Sequence, residues 1–520
     1  MARLLRPLSL LSVCCVSAAP LLAQTAASDP AVRRALETIT TADFEAKLGA
    51  LAHDSTRGRE TPTPELMRAT EWVAAQFAEA GVTPAGDAGG YFQTFTMREE
   101  RLDSLGTVAA SRAGMTSTWK LGEALVYGGG GPPAEYVNVP VVLLVGIPEE
   151  ESPVFGDVPL RGAVILHVAA PDKLSGRYVN PVFEQAQAGG ALAHIIASEI
   201  PADLWEVLRA RSFQSQWRLL GAPEREGNIR MATYGLRLEA VAGLLASAGE
   251  DPAALLAATE TRARRLDGVT ISIAVGYKPV RDAEVANVLG VLEGSDPALR
   301  DEAVVFTGHI DHVGTLADRC RPSEVLPADS ICNGADDNAS GTVGVIELAK
   351  AFATLQPRPA RTLVFAAVNA EERGLFGSRY YVEHPVVPID RTVAELNLDM
   401  IARNPPDTAG FVGKDYTSLG SVVDRVLTEH PELRLAAADH QGRYAASDHY
   451  PFAERGVPAL FFFSGEHEDL HTAADNPERA DPEQAARIVR LAFLTGLAVA
   501  NGVERPVWDE EVRARIVRAP

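Results

Sequence analysis

Between residues 287 and 463 the chain repeats one pattern, a short and almost wholly apolar run that ends at a polar residue or a glycine. The runs occupy residues 288–292, 304–306, 363–368, 394–398 and 459–463. Such runs are typical of strands buried on both faces, which requires helices on both sides of the sheet. A helix is predicted over residues 342–355. We therefore predict an α/β fold with a mixed, mostly parallel central sheet flanked by helices.

Ionisable residues lie just past the ends of three of these predicted strands. His309 follows the second run, Glu371 and Glu372 follow the third, and Asp399 follows the fourth. In open α/β sheets, functional sites form outside the carboxyl ends of the strands. We therefore expect these side chains to converge on one edge of the sheet, although they are far apart in the sequence.

Two further segments add potential metal ligands. The acidic, glycine-flanked loop from Asn333 to Gly341 supplies carboxylates, and His471 supplies a second imidazole. Imidazole nitrogens and carboxylate oxygens are ligands that Zn²⁺ accepts. The combination indicates a zinc site at the predicted sheet edge.

Five motifs in a fixed order carry a resemblance to a known family. They are Gly308-His309-Ile310-Asp311, Gly334-Ala335-Asp336-Asp337-Asn338-Ala339-Ser340-Gly341, Glu371-Glu372-Arg373-Gly374-Leu375-Phe376-Gly377-Ser378, Leu398-Asp399-Met400 and His471-Thr472. The chain resembles the co-catalytic di-zinc aminopeptidases, a family that includes secreted bacterial leucine aminopeptidases and glutamate carboxypeptidases. The resemblance implies a zinc exopeptidase fold of the phosphorylase/hydrolase-like kind, built from residues 25–105 and 280–505.

The resemblance also implies a ligand set for two Zn²⁺ ions per chain. His309 and Asp399 would bind one ion, and Glu372 and His471 would bind the other. Asp336 would bridge both ions. A shared carboxylate offsets the repulsion between two divalent cations.

Several neighbouring residues receive supporting roles from the same resemblance. Glu371 would be the general base and Tyr444 would donate to the developing oxyanion. Asp311 would accept the free ring N–H of His309, and Asp337 would shape the loop through a strained or cis peptide bond after Asp336.

Two other histidines near the motifs are not expected to be ligands. His312 is predicted to be a neighbour whose hydrogen bonds are satisfied, and His467 a surface histidine.

The reaction implied is the hydrolysis of N-terminal peptide bonds. A hydroxide held between the two zinc ions would attack the carbonyl, with Glu371 as general base. The substrates would be peptides with a free N-terminus, whose α-amine would meet Asp399 or the unpaired oxygen of Glu372.

Three alternatives remain open at the level of the sequence. A glutamate carboxypeptidase-like enzyme would need a basic pocket, for which Arg373, Arg403 and Arg443 are available. A glutaminyl cyclase would use one zinc ion on the same fold. A receptor-like role without catalysis is disfavoured, because the ligand residue types and Glu371 are all present.

The sequence pattern changes in the middle of the chain. Residues 106–279 contain short strand-like runs separated by glycine-rich breaks, such as the one at residues 127–133. This region is predicted to be an inserted, mostly β domain. It resembles a protease-associated domain at Gly156-Asp157-Val158-Pro159-Leu160-Arg161-Gly162 and again near residues 185–191. Residues 506–520 are predicted to be a C-terminal tail.

Composition limits the partners. The net charge of −21 argues against nucleic acid, because there is no basic excess to displace counterions from phosphates. Residues 1–24 have a short basic start and an apolar centre, which predicts a secretory signal peptide and export to the periplasm or the medium. Cys14 and Cys15 within it make a lipoprotein anchor a minority alternative. No membrane span is predicted, and the oligomeric state is not predicted.

Removal of the signal peptide leaves Cys320 and Cys332. An even pair in an exported chain favours a disulfide, with two free thiols as the alternative. The disulfide would brace the chain between His309 and Asp336.

Overall fold

The computed structural model describes residues 29–133, 135–146, 153–171, 176–221 and 231–518. The predicted signal peptide, with Cys14 and Cys15, lies outside the described residues. The chain divides into two compact units, one containing the residues up to Gln93 and from Asn287 onward, the other containing Thr94–Ala286. The second unit is wider on both sides than the predicted insert of residues 106–279.

The strands are β1 (Thr83–Pro84), β2 (Phe92–Leu102), β3 (Thr107–Arg112), β4 (Met115–Lys120), β5 (Leu125–Gly130), β6 (Glu135–Val145), β7 (Val164–Val168), β8 (Ala193–Ser198), β9 (Gln216–Leu219), β10 (Ala232–Arg237), β11 (Arg262–Ala274), β12 (Tyr277–Leu292), β13 (Ala303–His309), β14 (Thr362–Val368), β15 (Thr392–Leu398), β16 (Thr408–Val412), β17 (Ala436–Ala438) and β18 (Ala459–Phe463). The α-helices are α1 (Pro30–Thr38), α2 (Thr41–Leu51), α3 (Pro64–Ala80), α4 (Gly176–Ala188), α5 (Ala202–Ser212), α6 (Leu238–Ser247), α7 (Pro252–Leu256), α8 (Gly341–Ala353), α9 (Phe376–Glu383), α10 (Leu419–Glu429), α11 (His449–Glu454), α12 (Pro482–Asn501) and α13 (Glu510–Ile516).

The first unit is built on a mixed sheet with a parallel centre. Its strands lie in the order β17, β16, β18, β15, β13, β14 and β12. Strand β13 pairs in parallel with β14 and β15, and β15 pairs in parallel with β18. Strands β12 and β16 add to this centre in the antiparallel direction. The predicted fold class is confirmed, and all five predicted strands are present.

Packing explains why these strands are so apolar. Every residue of β13, β14 and β15 is buried. Helices α8 and α12 pack on β13 and β15 and on each other. Phe306 stacks on Phe365 with ring centroids 5.5 Å apart, and Phe352 lies 4.3 Å from Phe493. Truncating one of these buried rings to alanine would cost about 3–5 kcal/mol.

Helix α3 shows how local sequence fixes an element. The Thr63 hydroxyl accepts the N–H of Leu66 at 3.1 Å, and Pro64 occupies the first turn. Gly81 ends the helix with φ of 77°, a conformation that side chains disfavour. An N-cap of this kind contributes about 1 kcal/mol.

The second unit has its own sheet, in the order β4, β3, β11, β6, β7, β8, β10 and β5. Strands β6, β7, β8 and β10 pair in parallel, and the other strands pair antiparallel. Helices α4 to α7 belong to the same unit. Strand residues still outnumber helical residues, so the predicted mostly β character is confirmed, and the helices lie in connections between strands.

The C-terminal segment is part of the first unit. Trp508 Nε1 donates to the Gly456 carbonyl at 2.9 Å, and Arg518 N donates to the Glu454 carbonyl at 2.9 Å. Residues 506–518 therefore do not form a detached tail. Across the residues that the structure describes, no helix is both long and apolar enough to cross a membrane.

Candidate metal centre

Loops at the carboxyl edge of the central sheet bring distant residues together. His309 is the last residue of β13, Asp399 follows β15, and Glu371 and Glu372 lie beyond β14. The loop before α8 contributes Asp337, and the loop after β18 contributes His471. The parallel pairing of β13 with both β14 and β15 aligns three of these strand ends at one edge.

The first cluster of ligand-type side chains consists of His309, Asp337 and Asp399. His309 Nε2 lies 3.4 Å from Asp337 Oδ1 and 3.5 Å from Asp399 Oδ1. All three side chains are buried, and Asp399 Oδ1 has no hydrogen-bond partner among the described residues. A buried carboxylate oxygen without a partner is costly unless a cation meets it.

The second cluster consists of His312, Asp337, Glu372 and His471. His471 Nε2 lies 3.0 Å from Asp337 Oδ2 and 3.1 Å from Glu372 Oε1. His312 Nδ1 lies 3.2 Å from the same Glu372 oxygen. His312 was predicted only as a satisfied neighbour, but the structure places it inside this cluster, and its Nε2 is buried without a hydrogen-bond partner.

Asp337, rather than Asp336, belongs to both clusters. Its Oδ1 faces His309 and its Oδ2 faces His471. The carboxylate of Asp336 turns away and accepts the N–H of Ala402 at 2.7 Å. The residue shared by the two clusters is therefore Asp337 and not Asp336 as predicted, because Ala402 and the surrounding loop hold the Asp336 carboxylate.

His467 lies next to the Asp336 carboxylate. Its Nε2 lies 3.3 Å from Asp336 Oδ2, and its side chain is only 5% exposed. The prediction of a surface histidine is wrong, since the side chain packs beside the buried carboxylate of Asp336.

The loop that presents Asp337 is held by two residues without a predicted role. Asp475 accepts the N–H groups of Asp336 and Asp337, each at 3.0 Å. Asn338 Oδ1 accepts the N–H of Gly341 at 2.8 Å, and its Nδ2 donates to the Leu398 carbonyl at 3.0 Å. The cis peptide bond lies between Asp337 and Asn338, one bond later than predicted. The only sequence signal for Asp475 is a carboxylate four residues after His471.

Asp311 acts differently from its predicted role. The His309 ring nitrogen Nδ1 lies 3.1 Å from the Asp311 backbone carbonyl, while the Asp311 carboxylate is 3.8 Å away. The carboxylate instead accepts the N–H of Glu371 at 3.1 Å and the hydroxyl of Thr61 at 3.0 Å. Asp311 therefore orients His309 through its main chain and fixes the Glu371 backbone through its side chain.

Glu371 lies beside the first cluster. Its Oε2 is 3.9 Å from His309 Nε2, and its side chain is 14% exposed. Burial raises the pKa of Glu371 well above its ordinary value. A carboxyl group in this setting can accept and release a proton close to the metal-binding groups.

Tyr444 packs in an aromatic cluster, and its oxyanion role stays a prediction. Its ring packs in an aromatic cluster with Tyr416, His449 and Tyr450, at centroid distances of 4.7, 4.9 and 6.3 Å. The hydroxyl is buried without a hydrogen-bond partner among the described residues. The ring is held by packing on β18 residues such as Phe461 and Phe463, which accounts for its position.

A buried hydrogen-bond chain ends on Asp399. The hydroxyl of Ser447 donates to Asp399 Oδ2 at 2.7 Å and accepts from Asn397 Nδ2 at 2.8 Å. Asn397 Oδ1 lies 2.8 Å from the Thr307 hydroxyl, which also lies 2.5 Å from Glu395 Oε1. Since Ser447 occupies Oδ2, Asp399 presents Oδ1 to the first cluster.

Arg59 supports the loops from the other side. Its fully buried guanidinium donates to the carbonyls of Ile310 at 2.6 Å, Asn333 at 2.7 Å and Gly334 at 2.9 Å. It therefore joins the segment after His309 to the loop that carries Asp337. This residue was not predicted from the sequence, because an arginine after a glycine has no distinctive signal.

The part of the chain that holds both clusters is similar to a known protein family. The model of peptidase family M28 matches residues 287–495. These residues are therefore similar to peptidase family M28. The matched segment contains both clusters, together with Glu371.

Curated relatives of the M28 region cover part of the chain. A probable zinc metalloprotease of Leptosphaeria maculans is 29% identical over 274 residues, which is 44% of this chain and 60% of that protein. A probable zinc metalloprotease of Pyricularia oryzae is 26% identical over 42% of this chain and 50% of that protein. The chain thus spans about half the length of these relatives. Leupeptin-inactivating enzyme 1 of Streptomyces exfoliatus is 34% identical over 151 residues, 28% of this chain and 33% of that enzyme.

Among solved structures, the aminopeptidase of Aneurinibacillus sp. strain AM-1 aligns with a TM-score of 0.47 and 16% identity. The alignment covers 94% of this chain and 98% of that one.

The donor set of the M28 region fits divalent zinc. Imidazole nitrogens and carboxylate oxygens are the zinc ligands outside thiolate sites. Four carboxylates, those of Asp337, Glu371, Glu372 and Asp399, gather in a largely buried space. Their mutual repulsion is strong at low dielectric constant, and cations between them offset it.

Proposed function

We propose that the chain is a two-zinc aminopeptidase. The observation that carries the proposal is the position of Asp337, whose two carboxylate oxygens face two separate clusters. A carboxylate shared in this way suits two cations that lie close together. His309 and Asp399 would hold one zinc ion, and Glu372 and His471 would hold the other.

Zinc at these positions would supply Lewis-acid polarisation of the scissile carbonyl and lower the pKa of water. The residues of the chain supply the rest. Glu371, fixed through its backbone N–H by Asp311, would take a proton from the attacking water and deliver it to the leaving amine. Burial around His309 and Asp399 excludes bulk water and strengthens these electrostatic interactions.

Acidic side chains around the cluster favour a substrate with a cationic N-terminus. The predicted contact of the α-amine with the second oxygen of Glu372 loses support, because Arg319 Nη2 lies 3.6 Å from that oxygen. We therefore propose the other predicted contact, between the α-amine and the carboxylate of Asp399.

The carboxypeptidase alternative loses its sequence support. Each of the three candidate arginines is already paired: Arg373 with Glu60, Arg403 with Asp469 at 2.6 Å, and Arg443 with Glu466 at 2.7 Å. An arginine that is neutralised by a carboxylate is a poor receptor for the carboxylate of a substrate.

A substrate panel tests the proposed function. The purified zinc form should hydrolyse aminoacyl 4-nitroanilides with a free amine and leave their N-acetylated forms intact. Release of glutamate from an N-acetylated dipeptide would support the carboxypeptidase instead. Loss of ammonia from a peptide with N-terminal glutamine, with one zinc ion per chain, would support the cyclase. Zinc binding without any turnover would support a receptor-like role.

We also propose that the chain functions after export, in the periplasm or outside the cell. The disulfide between Cys320 and Cys332 supports this proposal, because structural disulfides persist mainly in oxidising compartments. Fractionation of the native host, with activity recovered only from the cytoplasm, would contradict it. The likeness of residues 106–279 to a protease-associated domain stays a prediction.

A further inference from the structure

The disulfide-closed loop, residues 320–332, begins beside one half of the proposed metal centre. Arg319, directly before the first cysteine, donates from Nη1 to the Glu372 carbonyl at 2.6 Å, and its Nη2 lies 3.6 Å from Glu372 Oε2. Arg321, directly after that cysteine, donates its N–H to the His471 carbonyl at 2.9 Å. The residues on either side of Cys320 therefore contact Glu372 and His471.

Arg319 determines which oxygen of Glu372 is presented to the cluster. Glu372 Oε1 faces His471 at 3.1 Å and His312 at 3.2 Å, while Oε2 faces the guanidinium. Arg319 also donates to the backbone carbonyl of Glu372, and this second contact limits rotation of the guanidinium. A planar guanidinium with fixed donors suits this double contact better than a lysine ammonium.

The disulfide anchors the backbone that carries Arg319. Cys320 and Cys332 are joined, and both are buried against Val313 and Ala473. Ala473 lies two residues after His471 and donates its N–H to the Arg321 carbonyl at 3.2 Å. The disulfide, Arg319 and the His471 segment thus form one packed unit.

The other half of the proposed centre has different supports. The His309 carbonyl accepts the hydroxyl of Thr342 at 2.6 Å, and Asp399 accepts the hydroxyl of Ser447. These contacts come from α8 and from the segment before α11. A disturbance of Arg319 should therefore reach Glu372 and His471 without reaching His309 and Asp399.

We propose that residues 319–321, fixed by the Cys320–Cys332 disulfide, form a clamp that positions Glu372 and His471 for one of the two zinc ions. Arg319 is the positioning residue of the clamp. This inference rests on the proposed function only in taking zinc as the metal. According to this inference, the disulfide supports the binding of one zinc ion and not of the other.

Zinc titration of the full purified chain against a chromophoric chelator tests the clamp. In Arg319→Gln, one of the two zinc ions should bind about 10–100-fold more weakly, with the other unchanged. Arg319→Lys should show a smaller loss of affinity, because lysine keeps one charged donor but cannot make both contacts of the guanidinium. The double variant Cys320→Ser with Cys332→Ser should weaken the same ion. Glu324→Gln, exposed on the same loop, is the matched control and should bind both ions as the wild type does.

Thermal unfolding of the zinc-free variants separates misfolding from a local effect. A folded Arg319→Gln chain with both zinc affinities unchanged, or with both weakened equally, would overturn the clamp. If that variant does not fold, the same criteria apply to Arg319→Lys and to the double cysteine variant. A wild-type chain that binds two zinc ions but cleaves no aminoacyl substrate would contradict the proposed function and leave the clamp measurement valid.

Discussion

Asp336 and Asp337 are adjacent in the chain, but their carboxylates have separate partners. Asp337 reaches His309 and His471, at 3.4 and 3.0 Å, while Asp336 accepts the N–H of Ala402 and lies beside His467. The backbone N–H groups of both residues donate to the same carboxylate, that of Asp475. The Asp337 side chain is therefore available to the proposed metals, whereas the Asp336 side chain stabilises the surrounding loops.

This difference predicts opposite phenotypes for two conservative substitutions. Asp337→Asn should abolish binding of at least one zinc ion, because an amide cannot replace a shared carboxylate. Asp336→Asn should keep both ions and lower the free energy of unfolding by about 1–3 kcal/mol, through the weakened contact with His467. Metal content by mass spectrometry and urea denaturation measure the two effects. The reverse pattern would restore Asp336 as the bridging residue.

Replacement of the proposed base should separate binding from catalysis. Glu371→Gln keeps the shape of the side chain but removes its ability to accept a proton. Zinc content should be unchanged and kcat should fall about 10²–10⁴-fold. Glu468→Gln, an exposed substitution in the loop before His471, is the control and should retain wild-type turnover. Unchanged turnover in Glu371→Gln would contradict the role of Glu371.

Loss of the Ser447 hydroxyl should affect the zinc site of His309 and Asp399, which the Arg319 clamp does not contact. Ser447→Ala leaves Asp399 Oδ2 without its donor and frees the carboxylate to rotate. The zinc ion held by His309 and Asp399 should bind about 10–100-fold more weakly, with the other ion unaffected. Ser447→Thr keeps a hydroxyl and should recover most of the affinity. If Ser447→Ala and Arg319→Gln weaken the same ion, the proposed division of ligands is wrong.

Glu395 is predicted to be neutral in the folded protein. The Thr307 hydroxyl has one proton but lies within hydrogen-bond distance of both Glu395 Oε1 and Asn397 Oδ1, so a protonated Glu395 is needed to donate in turn. Burial raises the pKa of Glu395 well above 4.5. The folded state then retains a proton that the unfolded state loses, so this group lowers stability as the pH rises above 4.5.

Glu395→Gln mimics the neutral acid and should remove that dependence. The variant should be as stable as the wild type near pH 4.5 and more stable at neutral pH, as measured by urea denaturation. A stability difference that does not change with pH would show that Glu395 is ionised in the fold.

The second unit contains a buried histidine pair with the opposite dependence. His167 Nε2 lies 2.9 Å from the Gly146 carbonyl, and its Nδ1 lies 3.3 Å from His194 Nε2. If His167 donates to Gly146 and accepts from His194, both rings are neutral, and a proton added to His167 Nδ1 would face the N–H of His194. Burial lowers the pKa of His167 from 6.5 to about 4 and that of His194 well below 6.5.

The unfolded state therefore takes up protons first, and stability should fall as the pH falls below 6.5. The shift of His167 alone corresponds to about 3 kcal/mol when fully expressed. His194→Gln keeps a donor to His167 and removes one titrating group. The variant should be less stable than the wild type at neutral pH, and this difference should become smaller at acid pH, where the wild type loses stability. His53→Gln, an exposed histidine of the other unit, should show no such change. A constant deficit across the pH range would refute the neutral pair.

Periodicity and strand ends indicated much of the first unit correctly. The five buried strands follow from runs that only a doubly covered sheet can accommodate, and the limits of α3 follow from Thr63 and Gly81. The convergence of His309, Glu371, Glu372 and Asp399 follows from parallel strands that end at one edge. These features depend on local pattern and on sheet geometry, both of which are encoded along the chain.

The details of the site were decided by tertiary contacts. Either aspartate of the pair could have bridged the metals, and the choice depends on Asp475, Asn338 and Ala402, which lie elsewhere in the sequence or have no sequence signal. Tyr444 lies in one apolar cluster with Phe461 and Phe463, an arrangement that no sequence pattern indicated. The sequence by itself determined which chemical groups are present and on which edge they gather. Only the tertiary structure decided which oxygen faces which nitrogen, because that depends on hydrogen bonds between segments far apart in the chain.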